Sequence, residues 1–160
     1  MKSMEKFYIS ITDAKLGIIL EILSNCDKIQ EICVCNHDLN GTSDQILQIV
    51  TIVLSFPKLS KFYASGIMND EILTLIASKS NELKNLRELC LSPNRGFSLN
   101  AFQKFLKNAK FSSHVDMNLK IAAELEEFEE MAKNYKKSSL KVLEVGNNNK
   151  IINKFRKNDH

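Results

Sequence analysis

The cysteines are the residues of this chain that could bind a metal or take part in redox chemistry. There are four of them in 160 residues, and Cys33 and Cys35 are separated by a single residue. A structural zinc site needs four converging ligands, of which one C-x-C spacing supplies only two. Three interpretations stay open: a metal site, a redox switch, or small apolar packing in a reducing compartment, which is the default. We expect Cys26 to pack in a helix-to-strand turn.

Signatures of enzymatic catalysis are absent from the sequence. The histidines stand at His37, His114 and His160, and none belongs to a recognisable acid–base constellation. There is no phosphate-binding P-loop, no H-E-x-x-H and no G-x-S-x-G. Residues 92–96, Ser-Pro-Asn-Arg-Gly, predict a turn. We therefore expect no catalytic residue, no metal and no cofactor, and so a protein that is not an enzyme.

Length and composition predict one domain over residues 1–160. Hydrophobic residues make up 44% of the chain and charged residues 26%, which suffices for a continuous core. The net charge of +3 is too small to favour nucleic acid as a partner. Residues 1–6 show no signal-peptide pattern, and the apolar stretches 16–23 and 46–54 are too short for a membrane span. We expect a cytoplasmic protein that binds neither membrane nor nucleic acid.

A repeated pattern runs through the chain. Residues 86–94 and 140–148 both carry leucine or a relative at relative positions 1, 4 and 6 and asparagine at position 9, which is the leucine-rich-repeat pattern. Four degenerate copies share this register. Their residues at positions 1, 4 and 6 are Met4, Phe7 and Ile9; Ile29, Ile32 and Val34; Leu59, Phe62 and Ala64; and, for positions 4 and 6 alone, Val115 and Met117. Position 9 of these copies holds Thr12, His37, Ile67 and Lys120.

Between the repeats, apolar residues recur at helical spacing. Positions 4 and 6 alternate with 3, 5 and 7, which predicts a short strand with one buried face. The intervening segments predict six helices. These cover residues 13–25, 42–55, 69–84, 98–110, 120–137 and 149–157, with Thr12 or Asp13, Thr42 or Ser43, and Ser98 as N-caps of the first, second and fourth.

The whole chain resembles leucine-rich-repeat proteins of the ribonuclease-inhibitor type. The resemblance is strongest at residues 86–94 and 140–148 and implies an α/β solenoid, a short horseshoe of about six strand–helix repeats. A parallel sheet would line its concave face and helices its convex face. In that family the asparagine at position 9 hydrogen-bonds the backbone where the chain leaves the strand. The resemblance also implies that the protein binds a partner protein through the concave sheet.

Outward strand positions form rows across the predicted sheet. Position 5 presents Tyr8, Cys33, Tyr63, Cys90, Asp116 and Glu144; position 3 presents Lys6, Glu31, Lys61, Glu88, His114 and Val142; position 7 presents Ser10, Cys35, Ser65, Ser92, Asn118 and Gly146. We expect partner contacts at Tyr8, Glu31, Cys33, Lys61, Tyr63, Glu88, Cys90, His114, Asp116 and Glu144. Alternatively, the alternating charges of position 3 pair only with one another across strands.

Three functional hypotheses follow. The first is a protein-interaction module, and the wealth of Lys, Asn and Ile suits a bacterial effector acting in the host cytosol. The second is an enzyme or adaptor resembling ubiquitin ligases that carry such repeats, for which six repeats leave no room. The third is self-assembly, including a homodimer, through the edge strand 6–11, which has no preceding capping element. The acidic run 124–130 predicts a solvated convex helix or, alternatively, a docking patch.

Overall fold

The computed structural model describes residues 5–10, 16–36, 42–112, 114–133, 142–147 and 150–156. Strands and helices alternate through most of this part of the chain. The strands are β1 (Lys6–Ser10), β2 (Glu31–Asn36), β3 (Lys61–Gly66), β4 (Glu88–Pro93), β5 (Phe97–Ser98), β6 (Asp116–Ala122), β7 (Val142–Asn147) and β8 (Lys150–Arg156). The helices are α1 (Leu16–Ser24), α2 (Ser43–Val53), α3 (Glu71–Lys79), α4 (Leu99–Asn108) and α5 (Leu125–Lys133), and a 3₁₀ turn, Ser80–Glu82, follows α3.

The strands form one sheet in the order β1-β2-β3-β4-β6-β7-β8, and the short β5 pairs with β6 beside this path. From β1 through β7 every pairing is parallel, and only β7 and β8 are antiparallel. The molecule is therefore an α/β protein with six parallel strands along the sheet and five helices in the described residues. No helix of the described residues is both long enough and apolar enough to cross a membrane.

The core lies between one face of the sheet and the helices. Alternate strand residues are buried while their neighbours are partly exposed, as expected when one face is covered. The helices contribute their own apolar sides. The buried set includes Ile32, Val34, Phe62, Leu89 and Leu91 from strands and Ile46, Ile49, Ile72, Ile76 and Phe102 from helices. Phe102 stacks against Phe105 and Phe128, with ring centroids 6.5 and 6.0 Å away, which joins α4 to α5.

Side chains at the helix N-termini tie consecutive helices together. Ser98 Oγ accepts from Ala101 N (3.1 Å), which confirms the predicted N-cap of α4. The Asp70 carboxylate, at the start of α3, accepts from Ser98 N (3.0 Å) and Ser98 Oγ (2.7 Å). One unit earlier, Asn69 Nδ2 donates to Ser43 Oγ (3.1 Å) at the start of α2. These bonds fix each helix against the next at one end of the helical layer.

The first five predicted helices are confirmed, and the ends that lie in the described part of the chain, away from residues 11–15 and 134–141, fall inside the predicted ranges. α2 starts after Thr42, whose amide donates to Gln45 Oε1 (3.2 Å). α3 ends at Lys79, five residues before the predicted end, because the chain tightens into the 3₁₀ turn. α5 starts at Leu125 because β6 extends to Ala122. The N-cap residues predicted for the first helix, Thr12 and Asp13, lie outside the described residues.

The sixth predicted helix is wrong. Residues 150–156 form β8, which runs antiparallel to β7. Ile151, Ile152 and Phe155 had suggested a helical period, but only two residues separate Asn147 from Lys150. So short a connection joins antiparallel strands, because a parallel pair needs a crossover of a dozen or more residues. The chain therefore departs from the six strand–helix repeats at its sixth unit.

The predicted turn at 92–96 is confirmed, and glycine is required at its end. Gly96 has φ 75°, and its amide donates to Pro93 O (3.2 Å). Gly66, at the end of β3, has φ 106°, and a Cβ there would lie 1.9 Å from Asn36 O. Both positions combine a left-handed backbone with a close backbone neighbour, so no other residue fits without rearrangement.

Among the strand exits that the structure describes, the buried asparagine stands at position 8 of its repeat and not at position 9, where the family resemblance placed it. Asn94, at position 9, is exposed, although its amide donates to Gly66 O (2.9 Å). The buried asparagine is instead Asn36, at position 8 of its repeat, which donates from Nδ2 to Thr42 O (3.3 Å). The Asn36 carbonyl in turn accepts from Ile67 N (2.8 Å). Backbone bonds between neighbouring strand exits thus replace part of the expected side-chain role.

Candidate functional site

One face of the sheet is left uncovered by the described helices, and we call it the open face. It carries the partly exposed residues of β1 to β6, arranged by the strand register into three rows. The charged row is Lys6, Glu31, Lys61, Glu88 and Asp116; the aromatic–thiol row is Tyr8, Cys33, Tyr63, Cys90 and Asn118; the hydroxyl row is Ser10, Cys35, Ser65 and Ser92.

The charged row is a continuous ladder of ion pairs across four strands. Lys6 Nζ lies 3.2 Å from Glu31 Oε2, and Lys61 Nζ lies 3.7 Å from Glu31 Oε1 and 3.5 Å from Glu88 Oε1. This is the cross-strand pairing that the alternating charges suggested. All four side chains are partly exposed, so each pair contributes little by itself and is screened by salt. The row aligns the strands and leaves little free charge for a partner.

Tyr63 joins the aromatic–thiol row to the charged row. Its hydroxyl donates a hydrogen bond to Glu88 Oε2, while Glu88 Oε1 faces Lys61. The bond to the carboxylate, helped by partial burial, raises the pKa of Tyr63 well above that of a free phenol. The ring is thereby held over β3 and β4 as a fixed, half-buried aromatic surface.

Tyr8 is the most exposed large side chain of the open face. It is 82% exposed on β1, whereas Tyr63 on β3 is half-buried. Its hydroxyl lies close enough to Cys33 for a hydrogen bond, and this contact raises the pKa of Tyr8. A partner surface that covers the Tyr8 ring would remove most of its contact with water.

The thiols of the open face fall into a pair and a single residue. Cys33 and Cys35 project from the same side of β2, and their sulfur atoms lie 3.9 Å apart. Ser65 Oγ donates to Cys35 Sγ (3.4 Å) from the neighbouring strand. Cys90 stands in the row of Cys33 but two strands away. Cys26, which follows the last turn of α1, is partly buried, as predicted. None of the four cysteines forms a disulfide.

The predicted rows are wrong from β6, the strand of the fifth repeat, onward. Asp116, and not His114, lies opposite Glu88, so Asp116 belongs to the charged row. Asn118 lies opposite Cys90, at the position that was predicted for Asp116. His114 stands before β6, exposed, with Nε2 3.7 Å from Asp116 Oδ1. Glu144 pairs with Lys120, two residues beyond Asn118, and so lies outside the aromatic–thiol row.

The alternation of β6 explains this error. The buried face of this segment carries four apolar residues, Val115, Met117, Leu119 and Ile121. Any two successive ones could fill positions 4 and 6 of the repeat. A shift of two residues leaves every side chain on its own face, and the period-2 pattern cannot detect it. Asn118, which the sequence predicted for position 7, stands at position 5, and Lys120 is an open-face residue that the predicted rows did not contain. Lys120 Nζ donates to Asn94 O (3.1 Å), the carbonyl at the exit of β4.

The remaining titratable groups do not converge. Among the described residues there is no group of three or more His, Cys, Asp or Glu side chains that could hold a metal ion. The acidic residues of α5 are spread over its exposed side, while Phe128 and Met131 face the core. α5 is thus the solvated helix that the sequence suggested, with Lys133 in its last turn.

The described residues form an α/β protein in which strand–helix units are followed by a β-hairpin, β7 and β8. No protein-family model and no curated protein matches this sequence. The function is therefore argued from the geometry of the open face.

Proposed function

We propose that this protein is a leucine-rich-repeat-like solenoid that binds a partner protein through the open face and catalyses no reaction. The observation that carries the proposal is the asymmetry of the two layers. Helices bury one face of the sheet, while the other presents Tyr8, Tyr63 and a self-neutralised charge ladder. A rigid sheet lowers the entropic cost of binding, and tyrosine combines a large apolar ring with a hydrogen-bonding hydroxyl.

The charge ladder favours a partner that contributes apolar and neutral polar contacts. Because Lys6, Glu31, Lys61 and Glu88 already pair with one another, the open face has no strong field of one sign along its first four strands. Nucleic acid and anionic membrane surfaces, which bind through clustered positive charge, are therefore disfavoured. Four cysteines without a disulfide suit a reducing compartment, and we propose a cytoplasmic location, which for an effector would be the host cytosol.

The test compares two exposed side chains on opposite layers. Tyr8 on the open face is 82% exposed, and Ile18 on α1 is 57% exposed. A partner captured from a candidate host lysate is purified and titrated against Tyr8→Ala and Ile18→Ala by calorimetry. We expect Tyr8→Ala to weaken binding by about 1–2 kcal/mol and Ile18→Ala to leave it unchanged. The opposite pattern would place the contact on the helical layer and refute the proposal.

Self-association is a second candidate, favoured by β1. In the part of the chain that the structure describes, β1 pairs only with β2, and the neighbouring α1 exposes Ile18 and Ile22. An open strand edge beside exposed isoleucines suits a second copy of the chain. Sedimentation velocity over a wide concentration range tests this function. A monomer at every concentration excludes it, and a dimer that Ile22→Glu dissociates supports it.

A further inference from the structure

Cys33 and Cys35 form a close pair of reactive side chains on the open face. Both project from the same side of β2, and their sulfur atoms lie 3.9 Å apart. Each has a hydroxyl beside it on a neighbouring strand: Tyr8 at Cys33 and Ser65 at Cys35. The two thiols therefore share a small polar environment that two different strands maintain.

A disulfide does not suit this arrangement. A disulfide requires sulfur atoms about 2.05 Å apart and Cβ atoms about 3.5–4.5 Å apart. Residues two apart on an extended strand project their side chains in parallel from positions about 6.6 Å apart along the strand. β2 cannot shorten easily, because Cys33 pairs with Tyr8 and Tyr63 and Cys35 pairs with Ser10 and Ser65. Closing the bond would disrupt the register on both sides of the strand.

A bridging cation does suit it. With metal–sulfur distances of about 2.3 Å, a separation of 3.9 Å corresponds to a sulfur–metal–sulfur angle of about 115°. Small rotations of the two side chains would widen this angle further. Thiolates select soft cations, among which Cu(I) is stable with as few as two or three donors. Zinc needs four ligands, and the described residues offer no cluster of three or more His, Cys, Asp or Glu for it.

We propose that Cys33 and Cys35 form a dithiolate site for a soft, thiophilic cation of the Cu(I) class. On binding, two S–H bonds break, two sulfur–metal bonds form and two protons pass to solvent, with no change in oxidation state. The Ser65 hydroxyl, which already donates to Cys35 Sγ, stabilises the thiolate that forms there. The site is independent of the proposed protein-binding function, although both use the open face.

The experiment is a competition titration of the reduced full chain with Cu(I) and the chromogenic chelator bicinchoninate, under nitrogen. We expect one Cu(I) per chain and a near-ultraviolet thiolate-to-copper absorption. Loss of a residue that only hydrogen-bonds a metal ligand already costs about 10–100-fold in metal affinity, so Cys33→Ser and Cys35→Ser should each cost at least about tenfold. Cys90→Ser is the matched control, because Cys90 shares the row of Cys33 and has Ser92 in place of a second thiol.

Circular dichroism of each variant separates loss of the site from loss of the fold. A folded Cys33→Ser/Cys35→Ser double variant that keeps one tightly bound Cu(I) would overturn the proposal. So would a Cys90→Ser variant that loses as much affinity as the variants of the pair. Zn(II) is titrated as a comparator, and affinity equal to that for Cu(I) would refute the assignment to a soft cation of low coordination number.

Discussion

The hydroxyl of Tyr63 on β3 donates a hydrogen bond to the carboxylate of Glu88 on β4. Through this bond, a residue expected to face a partner also becomes part of the ion-pair ladder that runs from Lys6 to Glu88. The open face is therefore pre-organised: the ring has lost part of its rotamer freedom before any partner arrives, which lowers the entropic cost of covering it.

The first prediction concerns the titration of Tyr63. The Glu88 carboxylate and partial burial raise its pKa, so it should ionise well above the ordinary phenol value of about 10. In Glu88→Gln the charge is removed, and the tyrosinate absorbance of Tyr63, identified by subtracting Tyr63→Phe, should develop at lower pH. Glu82→Gln, in the exposed 3₁₀ turn, is the control. Superimposable curves for wild type and Glu88→Gln would contradict the hydrogen bond.

The raised pKa of Tyr63 also makes the stability of the fold depend on pH. A raised pKa in the folded state means that folding favours neutral Tyr63. Its contribution is fully present below about pH 10 and is lost as pH rises through the folded-state pKa. The difference in stability between wild type and Tyr63→Phe should therefore shrink above about pH 10. Because Tyr63 is half-exposed, solvent screening keeps this contribution small.

The second prediction tests the register of β6. Asp116 lies opposite Glu88, so two like charges face each other across the β4–β6 boundary. Asp116→Lys would extend the alternating ladder by one strand and should raise the free energy of unfolding by about 0.2–1 kcal/mol at low salt. His114→Lys, the change that the sequence register would favour, should give no such gain. Urea denaturation at low and high salt measures both, and a larger gain for His114→Lys would refute this pairing.

Local patterns in the sequence predicted the elements better than they predicted how the elements align. Alternation identified the buried faces of β2, β3 and β4, and Ser98 marked the start of α4, because these signals depend on neighbouring residues. Alternation could not fix the register of β6, since a two-residue shift preserves it. The hairpin at β7 and β8 was missed because Ile151, Ile152 and Phe155 fit a helical period, and the adjacent Ile151 and Ile152 break the alternation of a strand at the register shift in the β7–β8 pairing. The asparagines at 147–149 were the available turn signal.

The candidate site shows the same division. The rows across β1 to β4 followed from the repeat, and Tyr8, Glu31, Cys33, Lys61, Tyr63, Glu88 and Cys90 do lie together on the open face. Individual side-chain contacts could not be predicted from the repeat. The bond from Tyr63 to Glu88 and the bond from Ser65 to Cys35 depend on the direction of each side chain. Spacing along the strand alone likewise gave no measure of the sulfur–sulfur distance in the Cys33–Cys35 pair.

The third prediction concerns Ser80, a fully buried serine at the end of α3. Its Oγ donates to Ala77 O (2.7 Å) and accepts from Lys110 N (2.7 Å), so it links α3 to the segment after α4. Ser80→Ala leaves the Lys110 amide without this partner and should cost about 1–3 kcal/mol of stability. Ser78→Ala is the control, because Ser78 is exposed and bonds only within its own helix through Leu75 O. Equal losses of stability would contradict a linking role.

The fourth prediction concerns the tie between α3 and α4. Ser98 caps α4, and the Asp70 carboxylate holds Ser98 through two hydrogen bonds, so the two residues should act as a unit. Ser98→Ala should cost about 1 kcal/mol. Asp70→Ala should also destabilise the protein, and the double variant should lose less than the sum of the two single losses. Chemical denaturation of the four proteins measures the coupling energy. Strict additivity would mean that Asp70 does not support the cap of α4.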